Sequence, residues 1–477
     1  MASLEHKINM KHDNEKAFTP NPPVESGLRP EPYYEKRLSP IGARIRRVLL
    51  AAVAKEKDLL MWIQSRRHPW LDLYFVYSSN LGAHTFFMVC LPLLFWFGYA
   101  QLGRGLTTML AAGVFFSGFL KDIFCLPRPP SPPIRRLTMS NSHQLEYGFP
   151  STHSVNAVSV TVYFIAFILP VADLEYETKI ISIAAFSIYC LSVVIGRVYC
   201  GMHSFTDITG GIVMGVTLSW LQWAWQQDLD DFVLDGSWMA PMIMSSVILF
   251  LIYIFPEPID NCPCFDDAFA FAGVMMGLTS GSWRFARSKF SHIGYGRGNV
   301  PYEYEIVGPV VTITRILIGI AILFLWRYVM KKLCYITLPP LYRALNLPCC
   351  KNNLSASKCK THMVPSVFDL PRTTKEFDVH STADPYEYLD AEKEKEQGLN
   401  RRQNKSESNG TIDGNSHVKY FAEKLEKGLF NNVTTIRYDV DVVTKLIVYS
   451  GIGYLAVDTI PVLFESTGLG VGIATAL

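Results

Sequence analysis

Three short clusters of ionisable residues punctuate long apolar stretches of this 477-residue chain. The first runs Lys121-Asp-Ile-Phe-Cys-Leu-Pro-Arg128-Pro129, at the end of one apolar segment. The second is Phe149-Pro150-Ser151-Thr152-His153-Ser154, at the start of the next. The third, Gly196-Arg197-Val-Tyr-Cys-Gly-Met-His203-Ser-Phe-Thr-Asp207, bridges two more. Ionisable groups at or within a membrane are costly and mark function. Lys121, Arg128 and Arg197 supply three cations, and guanidinium groups match phosphate oxygens two at a time. Ser151 adds a hydroxyl, and a helix starting there offers free N–H groups from Ser151, Thr152 and His153. His203 and Asp207 are four apart, so on one helix they share a face, and Asp207 would orient the His203 ring. With His153 the set holds a nucleophile, an acid and an anion clamp, which are the parts of phosphoryl transfer. A lone His or Arg at an interface is more often a snorkelling side chain. Six such groups in ordered spacing are hard to read that way.

The elements that must position them follow from where the charge sits. Hydrophobic residues make up 49% of the chain and charged residues 18%, against about 25% charged in an average soluble protein. The net charge is +2, which argues against a nucleic-acid binder. The mean hydropathy of +0.18 is an average over a partition. Residues 1–68 and 351–440 are polar and read as largely disordered tail or linker. Between and after them, apolar segments near membrane-spanning length fall at about 85–102, 105–125, 153–172, 178–199, 206–226, 239–255, 266–283, 305–327 and 442–466, with 69–84 borderline. The expected fold class is therefore all-α, a polytopic membrane helix bundle with polar tails. A crossing by 153–172 and a return by 178–199 put all three clusters at one mouth of it. Trp70, Tyr74, Trp96, Trp220 and Trp223 fit interfacial positions. Ten cysteines show no zinc spacing and read as buried or juxtamembrane thiols, with a disulfide or acylation open for Cys349–Cys350. The N-terminal residues hold no apolar core, so the first spanning helix is expected to act as an uncleaved insertion signal. Asp122 is expected to face the mouth, Arg135 and Arg136 to be loop charges or headgroup contacts, and Arg315 and Asp458 to pair with other helices.

These residues resemble the type 2 phosphatidic acid phosphatase superfamily, whose pattern is K-x6-R-P, P-S-G-H and S-R-x5-H-x3-D. Here it reads K-x6-R-P (Lys121 to Pro129), P-S-T-H (Pro150 to His153) and G-R-x5-H-x3-D (Gly196 to Asp207). Thr152 stands for the motif glycine and Gly196 for the motif serine. P-S-T-H, Arg197-x-Tyr-x-Gly201-Met202-His203 and the Cys262 to Asp267 block look like the sphingosine-1-phosphate phosphatase branch. Within it the chain looks like the fungal long-chain-base 1-phosphate phosphatases.

The resemblance implies a six-helix catalytic core. It also implies metal-independent hydrolysis of a lipid phosphate monoester through a phosphohistidine, with no cofactor. His203 would be the nucleophile, Asp207 its partner, and His153 the acid and then the base. Lys121, Arg128, Ser151, Thr152 and Arg197 would hold the phosphate. The chain divides as 1–68 (N-terminal tail), 69–340 (catalytic domain), 341–440 (linker) and 441–477 (C-terminal spanning segment). A broader lipid or isoprenoid (pyro)phosphate phosphatase stays open, as does a non-catalytic lipid-phosphate binder or transporter. The basic N-terminal segment favours a cytosolic N-terminus. Two crossings before Lys121 then put the site in the cytosol, and three put it in the lumen. The resemblance implies a lumenal site in the endoplasmic reticulum membrane. Asn353, Asn404, Asn409 and Asn432 each open an N-x-[ST] triplet, of the kind that arises by chance in so polar a segment.

Overall fold

The computed structural model describes residues 26–345 and 438–471, interrupted at 30, 83, 139–144, 173, 261, 292–297 and 301, together with 380–381. The sequons and the Cys349–Cys350 pair lie outside the described residues. The architecture is helical. In chain order the helices are α1 (Glu31–Glu35), α2 (Pro40–Lys55), α3 (Lys57–Ser65), α4 (Pro69–Ser79), α5 (His84–Trp96), α6 (Ala100–Phe124), α7 (Thr152–Ile168), α8 (Tyr176–Tyr199), α9 (Phe205–Asp235), α10 (Met239–Ile254), α11 (Cys264–Phe285), α12 (Tyr304–Ala344), α13 (Val440–Tyr454) and α14 (Ile460–Ser466). A π-helical turn, Leu455–Thr459, joins the last two. Among the described residues the strand pairing is one two-residue ladder, Leu137–Thr138 with His380–Ser381.

Among the described residues, four helical units are long and apolar enough to cross a membrane: α6, α8, α12 and α13–α14. A fifth arises if α4 and α5, bent by 51° at their break, count as one span. A second break, between α5 and α6, changes the sequence-based division. The segment expected at 85–102 is split between α5 and α6, because Gly98, at φ +84°, ends the first before Ala100 starts the second. Helix α7, with 17 residues, is about 26 Å long at 1.5 Å per residue. The chain is a multi-pass membrane protein.

Small residues set how closely the helices approach. Gly211 and Gly215 on α9 sit against the carbonyls of Ser151 and Val155, each 2.8 Å from where a Cβ would stand. That contact draws α7 and α9 together at the end that carries the ionisable clusters. On α11, Gly273, Gly277 and Gly281 repeat every four residues and face α13, where a Cβ would meet backbone at Leu446 and Ser450. Such stripes pack helices closely in lipid, where no hydrophobic force pulls helix to helix. At the far end of α6, Arg104 pairs with Asp230 of α9 through contacts of 2.8 and 2.9 Å. Arg315 pairs with Glu465 at 3.2 Å, and Asp458 with Arg284, so both intramembrane charges have partners on other helices, as expected. Trp96 departs from its expected interfacial place. It is fully buried and donates to the Ala456 carbonyl at 3.0 Å.

Within the stretch read as an N-terminal tail, residues 31–65 form α1–α3 and dock on the bundle. The cause is long-range and polar. The Arg46 guanidinium is 1% exposed and donates to the carbonyls of Phe124 (3.1 Å), Cys125 and Gly27 (3.1 Å). A cation there satisfies the open carbonyls at the C-terminus of α6. Arg46→Ala is expected to cost about 3 kcal/mol, the loss of a buried charged donor set. The check is a lower midpoint of thermal inactivation in detergent, with activity retained at low temperature.

Candidate active site

The ends of α6, α7, α8 and α9 meet at one mouth, and the motif residues converge there. All eight are buried, from 0% exposed at Ser151 and Asp207 to 9% at His153. The Lys121 ammonium donates to the Thr152 hydroxyl at 2.9 Å. Arg128 reaches the Met202 carbonyl at 2.9 Å and the Nε2 of His203 at 3.1 Å, both through Nη1. Two nitrogens of Arg197, Nε and Nη2, are buried and find no hydrogen-bond partner. Buried donors left unsatisfied are costly, and here they lie beside two further cations. The arrangement is short of an anion.

Two turns hold the histidines. Ser151 caps α7, its hydroxyl accepting from Ser154, and its own N–H donates to the Asp207 carbonyl at 3.1 Å. That bond ties the start of α7, with His153 in its first turn, to the start of α9. Gly201, at φ +64°, turns the chain between α8 and α9, and a Cβ there would meet the Arg135 carbonyl at 2.5 Å. Only glycine takes both that conformation and that contact. His203 follows, just before Ser204, which caps α9 through a reciprocal capping box with Asp207.

The expectation that Asp207 orients His203 needs correcting in its detail. His203 precedes the cap and is not on the helix with Asp207. Its Nδ1 lies 3.0 Å from the Gly148 carbonyl and 3.6 Å from Asp207 Oδ2, while that oxygen accepts the Ser204 N–H at 2.8 Å. A carbonyl can only accept, so it selects the tautomer protonated at Nδ1. The Nε2 lone pair is then left facing the cations. Asp207 stands behind as a nearby negative charge.

Burial holds the His203 pKa well below 6.5, helped by Arg128, Arg197, Lys121 and His153. The ring is therefore neutral, as a nucleophile must be. A nitrogen-15 imidazole titration is expected to show one ring still neutral below pH 6.5, its signal absent in His203→Gln. A His203 signal titrating at or above that value would contradict the assignment.

Thr152, where the family has glycine, does something the sequence did not disclose. Its hydroxyl holds Lys121 and meets Ser117 at 3.0 Å. Thr152→Val keeps the shape and removes this hydrogen bond. It is expected to lower kcat/KM about tenfold, the worth of one hydrogen bond to a charged group, with the fold unchanged by circular dichroism. At Gly196, where the family has serine, an added Cβ would meet Phe75 at 3.1 Å and the Ser79 hydroxyl at 3.4 Å, so α4 fills that space.

Other expectations shift. Asp122 does not face the mouth: it is 1% exposed and neither carboxylate oxygen has a hydrogen-bond partner. At 3.6 residues per turn, pointing Lys121 at α7 turns Asp122 inward, toward Cys262 and Cys264. Those two cysteines form a disulfide, whereas free thiols were expected. Arg136 is buried and donates to the Pro129 carbonyl at 2.8 Å, which pins the loop after Arg128.

Comparison with known proteins follows the same residues. Residues 102–231 match the PAP2 superfamily. The chain is 31% identical over 427 residues to a dihydrosphingosine 1-phosphate phosphatase of Schizosaccharomyces pombe, covering 88% of this chain and 90% of that relative. This chain belongs to the PAP2 superfamily. A dihydrosphingosine 1-phosphate phosphatase of Saccharomyces cerevisiae is 34% identical over 66% of this chain and 76% of its own length. Lipid phosphate phosphatase delta of Arabidopsis thaliana is 30% identical over 66% and 75%.

The PAP2 match runs from inside α6 to inside α9 and so spans every motif residue. Sequence reasoning missed three residues around it. Glu56 accepts the Thr206 N–H and hydroxyl at 3.0 and 2.6 Å, adding a carboxylate to the start of α9. Asp260 gathers the Gly27 N–H and the Tyr34 and Tyr147 hydroxyls at 2.9, 2.7 and 3.0 Å. Glu146 bridges Lys121 and Arg128. Glu56 and Asp260 lie outside the PAP2 match, and nothing in spacing joins them to it. Glu146 is contiguous with the second motif, and an acid so close to P-S-T-H was the available signal.

Proposed function

We propose that this PAP2 protein hydrolyses the phosphate monoester of long-chain-base 1-phosphates. The observation that carries the chemistry is the pair of unpartnered Arg197 donors buried beside a neutral His203. The substrate class rests on the two yeast relatives, both dihydrosphingosine 1-phosphate phosphatases, which align over most of this chain.

In this reading His203 Nε2 attacks phosphorus and the bond from phosphorus to the lipid oxygen breaks. His153 gives its proton to the leaving alkoxide. Asp207 stabilises the ring as it becomes cationic, and Gly148 keeps it aligned. Lys121, Arg128, Arg197, Ser151 and the Thr152 N–H hold the three non-bridging oxygens, where transition-state charge is spread. His153, now neutral, takes a proton from water, which attacks the phosphohistidine and releases phosphate. The clamp needs no metal, since three cations neutralise the dianion. Residues 69–340 form the catalytic unit, and the helices between 440 and 466 pack on it.

The reaction is read on the lumenal side of the endoplasmic reticulum membrane. The resemblance to the sphingosine-1-phosphate phosphatase branch supports that side. An engineered glycosylation sequon in the Pro129–Pro150 loop is expected to be modified, and no shift after glycosidase treatment would reverse the orientation.

The decisive assay is phosphate release by the purified protein in detergent with EDTA present, over a panel of lipid phosphates. Dihydrosphingosine 1-phosphate is expected to be turned over well above phosphatidic acid. Equal rates would leave only a broad lipid phosphatase, and complete loss of activity with EDTA would sink the metal-free mechanism.

A further inference from the structure

The clamp contains a carboxylate that phosphate chemistry alone does not call for. Glu146 Oε2 is 3.2 Å from Lys121 Nζ and 3.0 Å from Arg128 Nη2. The same residue's backbone carbonyl accepts from Arg128 Nε at 3.1 Å, so Arg128 grips both ends of it. Its neighbours are held as well. The Tyr147 hydroxyl is bound by Asp260 at 3.0 Å, and the Gly148 N–H by the Leu126 carbonyl at 2.7 Å. The carboxylate is therefore fixed in place and not a mobile side chain that drifted onto the cations.

For an ordinary phosphate monoester such a group is a liability. It takes N–H donors that the phosphate oxygens need, and its negative charge sits next to the incoming dianion. A like charge at that range disfavours binding unless a cation comes between. Long-chain-base 1-phosphates bring one. Their ammonium is on the carbon adjacent to the phosphate-bearing carbon. With phosphate on Lys121, Arg128 and Arg197, the ammonium reaches only a few ångströms beyond. Glu146 stands next to two of those three cations, at the 12% exposed rim of the cluster.

We infer that Glu146 is a specificity-determining residue that receives the ammonium of a zwitterionic lipid phosphate. It rewards a substrate carrying a positive charge beside the phosphate and repels one that lacks it. This inference rests on the long-chain-base reading above. The two halves work as attraction and rejection at a single position, the usual way a site separates close analogues.

The experiment compares kcat/KM for dihydrosphingosine 1-phosphate and its N-acetyl derivative, with phosphatidic acid as a third substrate, in mixed micelles. Wild-type protein, Glu146→Gln and Glu146→Asp are measured side by side. The ratio of free-amine to N-acetyl substrate is internal to each preparation, so a loss of folded protein cancels. The wild-type ratio is expected to exceed ten, to fall at least tenfold in Glu146→Gln, and to recover in part in Glu146→Asp. A ratio unchanged in Glu146→Gln would overturn the inference. So would an equal gain on both substrates, which would make Glu146 a plain competitor for the clamp. If the wild type hydrolyses phosphatidic acid as well as dihydrosphingosine 1-phosphate, the long-chain-base reading fails first and takes the inference with it. A preserved amine preference in Glu146→Gln leaves that reading standing and removes only Glu146 from it.

Discussion

His203→Ala is expected to reduce phosphate release by about 10⁴-fold or more, the scale of losing a covalent nucleophile. The size follows from where the ring sits. Its Nδ1 is committed to the Gly148 carbonyl, so Nε2 alone is available, 3.1 Å from Arg128. Water placed in the vacated volume lacks both the alignment and the nucleophilicity. The check is a single-turnover assay with phosphorus-32-labelled lipid. Wild-type protein quenched in alkali is expected to retain acid-labile label, as a phosphohistidine does, and His203→Ala none. His153→Ala should take up label only slowly, because each transfer expels the alkoxide without its proton donor, and should lose it slowly, because the attacking water lacks its base. Label persisting in His203→Ala would move the nucleophile elsewhere.

Arg197→Ala is expected to lower kcat by about 10³-fold, in the range of an oxyanion donor or an arginine that meets a transferring phosphoryl group. Arg197 is 4% exposed, and Nε and Nη2 have no hydrogen-bond partner. A buried guanidinium with two unpaired nitrogens is destabilising until an anion arrives. Two further outcomes separate this from a structural role. Arg197→Lys should rescue little, since an ammonium lacks the planar two-donor fork. Inorganic phosphate or vanadate should raise the thermal midpoint of the wild type and fail to raise that of Arg197→Ala. If the variant is stabilised like the wild type, Arg197 does not hold the anion.

Much of the molecule was legible before any coordinates, for a physical reason. The membrane forces a sharp partition between apolar segments and charge. Any Lys, Arg, His or Asp at a helix end then stands out, and segment parity places those ends on one side. The approach of Lys121 to Thr152 and of Arg128 to His203 agrees with that parity argument. Helix ends near Phe124, Thr152, Tyr199 and Phe205 fell within a few residues of the expected bounds, because Ser151 and Ser204 are good caps. The split at Gly98 was less legible, since a break within an apolar run leaves no change in composition. The helices between 31 and 65 were hidden for the opposite reason. They are polar enough to read as tail, and what holds them is Arg46 on carbonyls 78 and 79 residues away.

The sequence by itself determined the residue types of the site, their order, the side of the bundle they share and the kind of ligand they suit. Those follow from side-chain chemistry and from the cost of charge in lipid. Only the tertiary structure decided how the groups are wired. It gave the His203 tautomer to a backbone carbonyl, left Asp207 at 3.6 Å, put the Thr152 hydroxyl on Lys121, buried Asp122 and set Glu146 between two cations. Each of these depends on where a carbonyl or a single oxygen points after distant helices have packed. Residue spacing carries no information about that direction.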